Sequence, residues 1–163
     1  MPAGVLVGAG KAAPHARTLA EAAPDQPPVK PEEKVLAANQ RFYTAMDSLD
    51  LEGMEAVWLH ADWVKCVHPG WELLEGWEEV RESWKRIFAN TQRMQVIVSD
   101  VQVQVDGSMA WVVDVEQVTS TFETGFSTAW VQATNLFVEH KGEWLMVHHH
   151  ASPLPRAEDE TVQ

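Results

Sequence analysis

Residues 94–122 read MQVIVSDVQVQVDGSMAWVVDVEQVTSTF, and their period decides the fold. Upstream, apolar residues recur every three or four positions. Here they recur every second one, with Val101, Val103 and Val105 set against Asp100, Gln102 and Gln104. A repeat near 3.6 belongs to a helix laid on a core, and a repeat of 2 to a strand with one buried face. Asp106-Gly107 predicts a tight hairpin turn between two long strands. STAWVQATNLFVEH (127–140) continues the alternation after a Gly-containing loop, and Lys141-Gly142 turns into EWLMVHHHAS (143–152). Pro153 and Pro155 stop the last strand.

Three helices come before this meander. PEEKVLAANQRFYTAMDSL places Val35, Ala38, Phe42, Ala45 and Leu49 on one stripe, with Pro31, Glu32 and Glu33 suited to a helix start. LEGMEAVWL is a shorter helix with Leu51, Met54 and Trp58 on one side. GWEEVRESWKRIFAN carries Trp77, Val80, Trp84, Ile87 and Phe88 on one face. Between the last two, DWVKCVHPGWELLEGW predicts a short strand, a break at His68-Pro69-Gly70 and a second short extended piece. The layer order is α+β: three N-terminal helices packed on one face of a curved antiparallel sheet, a cone enclosing a pocket.

The organisation read from composition is a flexible Ala/Pro-rich arm at 1–31, one domain at 32–155 and an acidic tail at 156–163. The formal net charge of −12 repels phosphate backbones and anionic bilayers, which argues against nucleic acid or membrane as partner. Cys66 is the only cysteine, which leaves no internal disulfide and points to a cytoplasmic setting. GAGKAA near the start lacks the glycine and Ser/Thr positions of a phosphate loop. The eight tryptophans imply a thick core, a lined cavity or an aromatic contact surface.

The stretch LEGMEAVWLHADWVKCVHPGWELLEGWEEVRESW, the three long strands and GEWLMVHHHASP together resemble the SnoaL-like proteins of the nuclear transport factor 2-like superfamily. The close, WLMVHHHASP, is similar to the final strand of the association domain of calcium/calmodulin-dependent protein kinase II. The resemblance covers residues 32 to 155. It implies a cone whose inner face lines a pocket for a small organic molecule and whose outer face makes a homodimer. It leaves activity open, because isomerases, dehydratases and non-catalytic assembly modules share the fold.

Alternation along the last strand groups Leu145, Val147, His149 and Ala151 against Trp144, Met146, His148 and His150. Similarity to the association domain implies that the set holding His149 and Asn135 faces inward. Trp130, Trp144, Asp114 and Glu116 are then expected on the outer face. His68 falls where relatives similar to ketosteroid isomerase hold a proton-moving aspartate. Phe42 falls where those relatives hold a tyrosine, and Tyr43 is one residue off that face. The similarity to dehydratases implies that His68 and His149 act as acid and base, with Asn135 orienting an oxygen. Phe42, Trp84, Trp111, Val115, Phe137 and Val147 are the expected pocket wall. No cofactor is implied. A metal is not expected either: Cys66 and His68 share a face and His149 could approach them, but adjacent strand histidines diverge and cannot act as one cluster. The enzyme reading is a cofactor-free dehydratase or isomerase, and its alternative is a non-catalytic ligand-binding or association module.

Overall fold

The computed structural model describes residues 27–155. The arm expected at 1–31 lies mostly outside the described residues, and the tail at 156–163 lies wholly outside them. Helix α1 spans Pro31–Asp47, α2 spans Leu51–Val57 and α3 spans Trp77–Ala89. The strands are β1 (Lys65–Val67), β2 (Leu74–Glu75), β3 (Arg93–Asp106), β4 (Met109–Phe122), β5 (Gly125–His140) and β6 (Glu143–Pro153). They form one sheet in the order β2-β1-β6-β5-β4-β3. The change of period near residue 93 is therefore the boundary between the helical layer and the long strands.

The sheet differs from the expected one in one respect. It is mixed, because β1 runs parallel to β6 and places Cys66 opposite His149. The other pairs are antiparallel. The sheet is curved and open, and the three helices cover its inner face. The two-residue turn between β3 and β4 is Gly107-Ser108, one position later than read, since Asp106 still pairs with Met109.

Helix α1 starts as its sequence dictates. Pro31 occupies the first turn, where a missing N–H costs nothing, and Glu32 and Glu33 meet the positive end of the dipole. Its buried stripe is wider than the one read from spacing. It adds Asn39, Tyr43 and Met46 to Val35, Ala38, Phe42 and Ala45. Asp50 caps α2 by accepting the Gly53 N–H at 3.0 Å. Arg81 on α3 reaches Glu55 on α2 at 2.6 Å.

The core joins Phe42, Met54, Trp58, Trp84, Phe137 and Met146, all nearly inaccessible to solvent. Each contributes on the order of 2 kcal/mol by leaving water. Two irregularities shape the sheet. Register shifts between Ser99 and Gln102 on β3, where Asp100 takes a left-handed φ of 51°. It shifts again on β6, where Leu136 faces His148 but Phe137 faces Met146. Val147 is the extra residue of that bulge. Strict alternation therefore fails across it, and Trp144 and Met146 turn inward on the same side as His149. The expectation that Trp144 lies on the outer face is corrected: it is 4% exposed and belongs to the core.

Candidate functional site

Helix α1, strands β1, β4, β5 and β6, and helix α3 converge on a buried cluster of rings and polar groups. β5 contributes Val131, Ala133, Asn135 and Phe137 inward, and β6 contributes His149 and Ala151, as the alternation predicts away from the bulge. His68 follows β1, and its ring is 4% exposed. The rings of His68 and His149 lie 6.5 Å apart, centre to centre. Trp84 packs edge-on against His68 at 4.6 Å and lies 6.1 Å from His149. Phe42 lies 4.9 Å from His149 and 5.6 Å from Trp84.

Hydrogen bonds fix the tautomer of each imidazole. Ser83 Oγ donates to the Val80 carbonyl at 2.6 Å, so its one hydrogen is spent. His68 Nε2, 2.8 Å from that oxygen, must then be the donor. His68 Nδ1 is left as a lone pair, with only the Cys66 sulfur beside it at 3.9 Å. On His149, Nδ1 meets Asn135 Oδ1 at 2.6 Å. The Asn135 amide N–H groups are committed to Asn39 Oδ1 at 2.8 Å and to the Tyr43 oxygen at 3.1 Å, which fixes the amide orientation. His149 Nδ1 is therefore the donor and Nε2 the lone pair.

Both rings are neutral. Burial drives the His68 pKa down to about 4, helped by the positive charge of Arg86. Burial holds His149 well below the ordinary histidine range, and His68, His148 and His150 add to the effect. Burial also pushes the Cys66 thiol up, so it stays protonated and is not a nucleophile at neutral pH.

A second polar group sits behind Asn135. The Tyr43 hydroxyl is 2.8 Å from Asp114 Oδ1 and 2.6 Å from Glu116 Oε1. Asp114 also accepts from Asn39 Nδ2 at 3.1 Å. Tyr43 has one hydrogen and cannot donate to both acids. One carboxyl must therefore be protonated and donate to the tyrosine oxygen. Burial pushes the Glu116 pKa up to about 7, against a smaller opposing effect of the Tyr43 bond, so below that pH Glu116 is the acid that holds the proton. Asp114, whose pKa burial also raises against the opposing effect of these bonds, accepts from Tyr43 on one oxygen and from Asn39 on the other and is the carboxylate of the pair. The same burial, with both acids alongside, raises the Tyr43 pKa.

The expected outward placement of Asp114 and Glu116 is thus overturned: they are 0% and 2% exposed. Tyr43 is likewise inside, and it was missed as a site residue. Because the inward set of β4 is Ala110, Val112, Asp114 and Glu116, the expected wall residues Trp111 and Val115 fall on the other face of the sheet. Trp111 is 38% exposed there. Phe42, Trp84 and Phe137 are in the core, as is Val147 at its bulge. The structure brings together His68, His149, Asn135, Phe42 and Trp84, and it separates Trp111 and Val115 from them.

The three consecutive histidines divide. His149 points inward, while His148 and His150 share the outer face with ring centres 6.1 Å apart. There burial, His150 and Lys65 hold the His148 pKa down. Among the described residues no three His, Cys, Asp or Glu side chains converge as a metal site would need. Nor is any described helix long and apolar enough to cross a membrane.

Comparison with known proteins matches residues 35–156 to the SnoaL-like domain. A crystal structure from Streptomyces avermitilis, provisionally named a dehydratase of the NTF2-like family, is 37% identical with a TM-score of 0.72. The match covers 77% of this chain and 96% of that one. A second, from Thiobacillus denitrificans, is provisionally named a calcium/calmodulin-dependent protein kinase type II association domain. It is 32% identical with a TM-score of 0.66, covering 74% of this chain and 94% of its own. Among curated proteins, the F-box protein SKIP8 of Arabidopsis thaliana is 34% identical over 118 residues, 72% of this chain. The chain spans about half the length of that plant protein, 48%.

Proposed function

The chain belongs to the SnoaL-like domain family of the nuclear transport factor 2-like superfamily, and from that premise we propose that its interior binds a small, largely apolar organic molecule and acts on it as a cofactor-free lyase. The observation that carries this reading is the pair of buried neutral imidazoles, each with one nitrogen held by an oxygen partner and the other left with a lone pair, which on His68 meets the weak thiol donor of Cys66 at 3.9 Å. A histidine oriented in this way is a general base ready without reorganisation.

The reaction that fits is loss of water from a compound bearing a hydroxyl β to a carbonyl. The base removes the proton α to the carbonyl, a carbon–carbon double bond forms, and the hydroxyl leaves with a proton as water. Both rings start neutral, so neither is a ready acid. The ring that takes the α-proton becomes an imidazolium whose burial makes it a strong acid, and it returns that proton to the leaving oxygen. The Tyr43, Asp114 and Glu116 group supports Asn135, which holds His149 in its tautomer. These three act as positioning residues.

The test uses a series of cyclic β-hydroxy ketones, beginning with 3-hydroxycyclohexanone, in D2O. Protein-dependent appearance of enone absorption, or of deuterium at the α-carbon, is the expected result. The absence of both across the series at neutral pH overturns the acid/base reading.

The outer face of the sheet favours a second role alongside the first, self-association. Ile97, Trp111, Trp130 and Phe126 are 52%, 38%, 40% and 77% exposed, a density of apolar side chains unusual for a free surface. The similarity to an association domain supports the same role. Replacing Trp111 with glutamate is expected to turn a dimer into a monomer in analytical ultracentrifugation without unfolding it. A wild type that sediments as a monomer at 0.1 mM overturns the idea.

A further inference from the structure

Among the described residues, nearly every buried side-chain nitrogen and oxygen has a partner within the protein. The two buried side-chain N–H donors among these residues with no hydrogen-bond partner are the indoles of Trp58 and Trp84. A buried donor without an acceptor costs on the order of 1–3 kcal/mol, so a fold that keeps one calls for an explanation. Trp84 is 2% exposed and sits on α3 against both histidines. Trp58 lies elsewhere, with its ring 6.3 Å from Trp77.

The unfilled hydrogen-bonding positions on these three neighbouring rings differ in kind. Trp84 offers one N–H donor. His68 Nδ1 and His149 Nε2 offer lone pairs, since their other nitrogens are taken by Ser83 and Asn135. The three ring centres form a triangle with sides of 4.6, 6.1 and 6.5 Å. A ligand satisfying this set must present an oxygen acceptor to Trp84 and at least one hydrogen to an imidazole. A carboxylate has acceptors only, as does a phosphate ester dianion. It would also face the negative charge already buried at Asp114, whose carboxylate is tied through Asn39 to Asn135.

We propose that the Trp84 indole N–H anchors an oxygen of the ligand, and that the ligand class of this site is an uncharged hydroxy-carbonyl compound rather than an organic acid or phosphate ester. This rests on the reading of the interior as a small-molecule site. Trp84 is then a binding group that fixes the carbonyl, while the histidines take the hydrogen beside it. The apolar edges of Phe42 and Trp84 accept the rest of the molecule.

The experiment is an indole ¹⁵N–¹H NMR titration of the full chain with 3-hydroxycyclohexanone, and separately with cyclohexanecarboxylate. Trp58 serves as the internal control. Assignment through the backbone keeps the wild-type readout independent of any variant's folding. The Trp84 N–H signal is expected to move to lower field with the hydroxy ketone while the Trp58 signal stays in place. The carboxylate is expected to move neither. Trp84→Phe is expected to raise the Kd of the hydroxy ketone about 3- to 10-fold, the value of one neutral hydrogen bond. If His149 and Phe42 signals shift with the ketone but the Trp84 N–H does not, the anchor is wrong and the small-molecule site stands. If the carboxylate shifts the same signals equally, the uncharged class is wrong. If neither probe moves any interior signal, the small-molecule reading falls and this inference falls with it.

Discussion

The stability advantage of Glu116→Gln over the wild type will grow by about 3 kcal/mol as pH rises from 4.5 to 8. The sign follows from the direction of the shift. In the unfolded chain Glu116 titrates near 4.5, and in the fold it titrates near 7. Between these values the folded state holds a proton that the unfolded state has lost. The stabilisation is full below 4.5 and is lost as pH rises through 7. Glutamine keeps a donor toward the Tyr43 oxygen and has nothing to lose. His68 works the other way, since its lowered pKa makes the fold lose stability as pH falls from 6.5 toward 4. That contribution is common to both proteins and cancels in the difference. Urea unfolding at pH 5.5 and 8.5 avoids the isoelectric region near 4.9 and should show about 2 kcal/mol of the effect. Parallel pH profiles for the two proteins would mean that Glu116 is ionised in the fold, and the one-proton account of the Tyr43 cluster would be wrong.

This acid was invisible in the sequence for a physical reason. In β4 both parities are apolar around the pair: Trp111, Val113 and Val115 on one side, Ala110, Val112 and Val118 on the other. Hydrophobicity alone then assigns Asp114 and Glu116 to solvent. What reverses the assignment is a partner more than seventy residues away, because Asn39 and Tyr43 point from α1 and satisfy both carboxyls. The signal that was present is local. Asn39 and Tyr43 stand four apart on a helix whose apolar stripe runs beside them, and two polar side chains at that spacing share a face. The face of Trp144 escapes the sequence for a different reason. Alternation is exact only within an unbroken ladder, and the extra residue Val147 has no composition signature. His149, Asn135 and Phe137 came out on the inner face because they lie on the far side of that bulge or on the regular strand beside it. The helical layer, the strand order of the meander and the shared face of Cys66 and His68 were legible from period and spacing alone. The partners that fix proton positions were not, because each comes from a different element.

Those proton positions lead to the other large effect. Of His149→Gln and His68→Gln, the one that removes the ring taking the α-proton is expected to lower kcat/KM by about 10²- to 10⁴-fold, the usual contribution of a positioned general base. Glutamine removes the titrating nitrogen while keeping a polar side chain, so far-ultraviolet circular dichroism should be unchanged. The pH profile distinguishes this buried pair from an exposed one. A base of ordinary histidine pKa would lose about tenfold in rate between pH 8 and pH 5.5. Here the rate should hold within about twofold over that range, because His68 is protonated only near pH 4 and His149 lies well below the usual range. Ser83→Ala then separates a positioning role from a structural one. It removes the acceptor that keeps the proton on His68 Nε2 and frees the ring to adopt the other tautomer. The expected outcome is a fall in kcat of about tenfold or less with KM unchanged. If both glutamine variants keep their rate within threefold, the histidines are packed core groups, and the self-associating outer face becomes the function that remains.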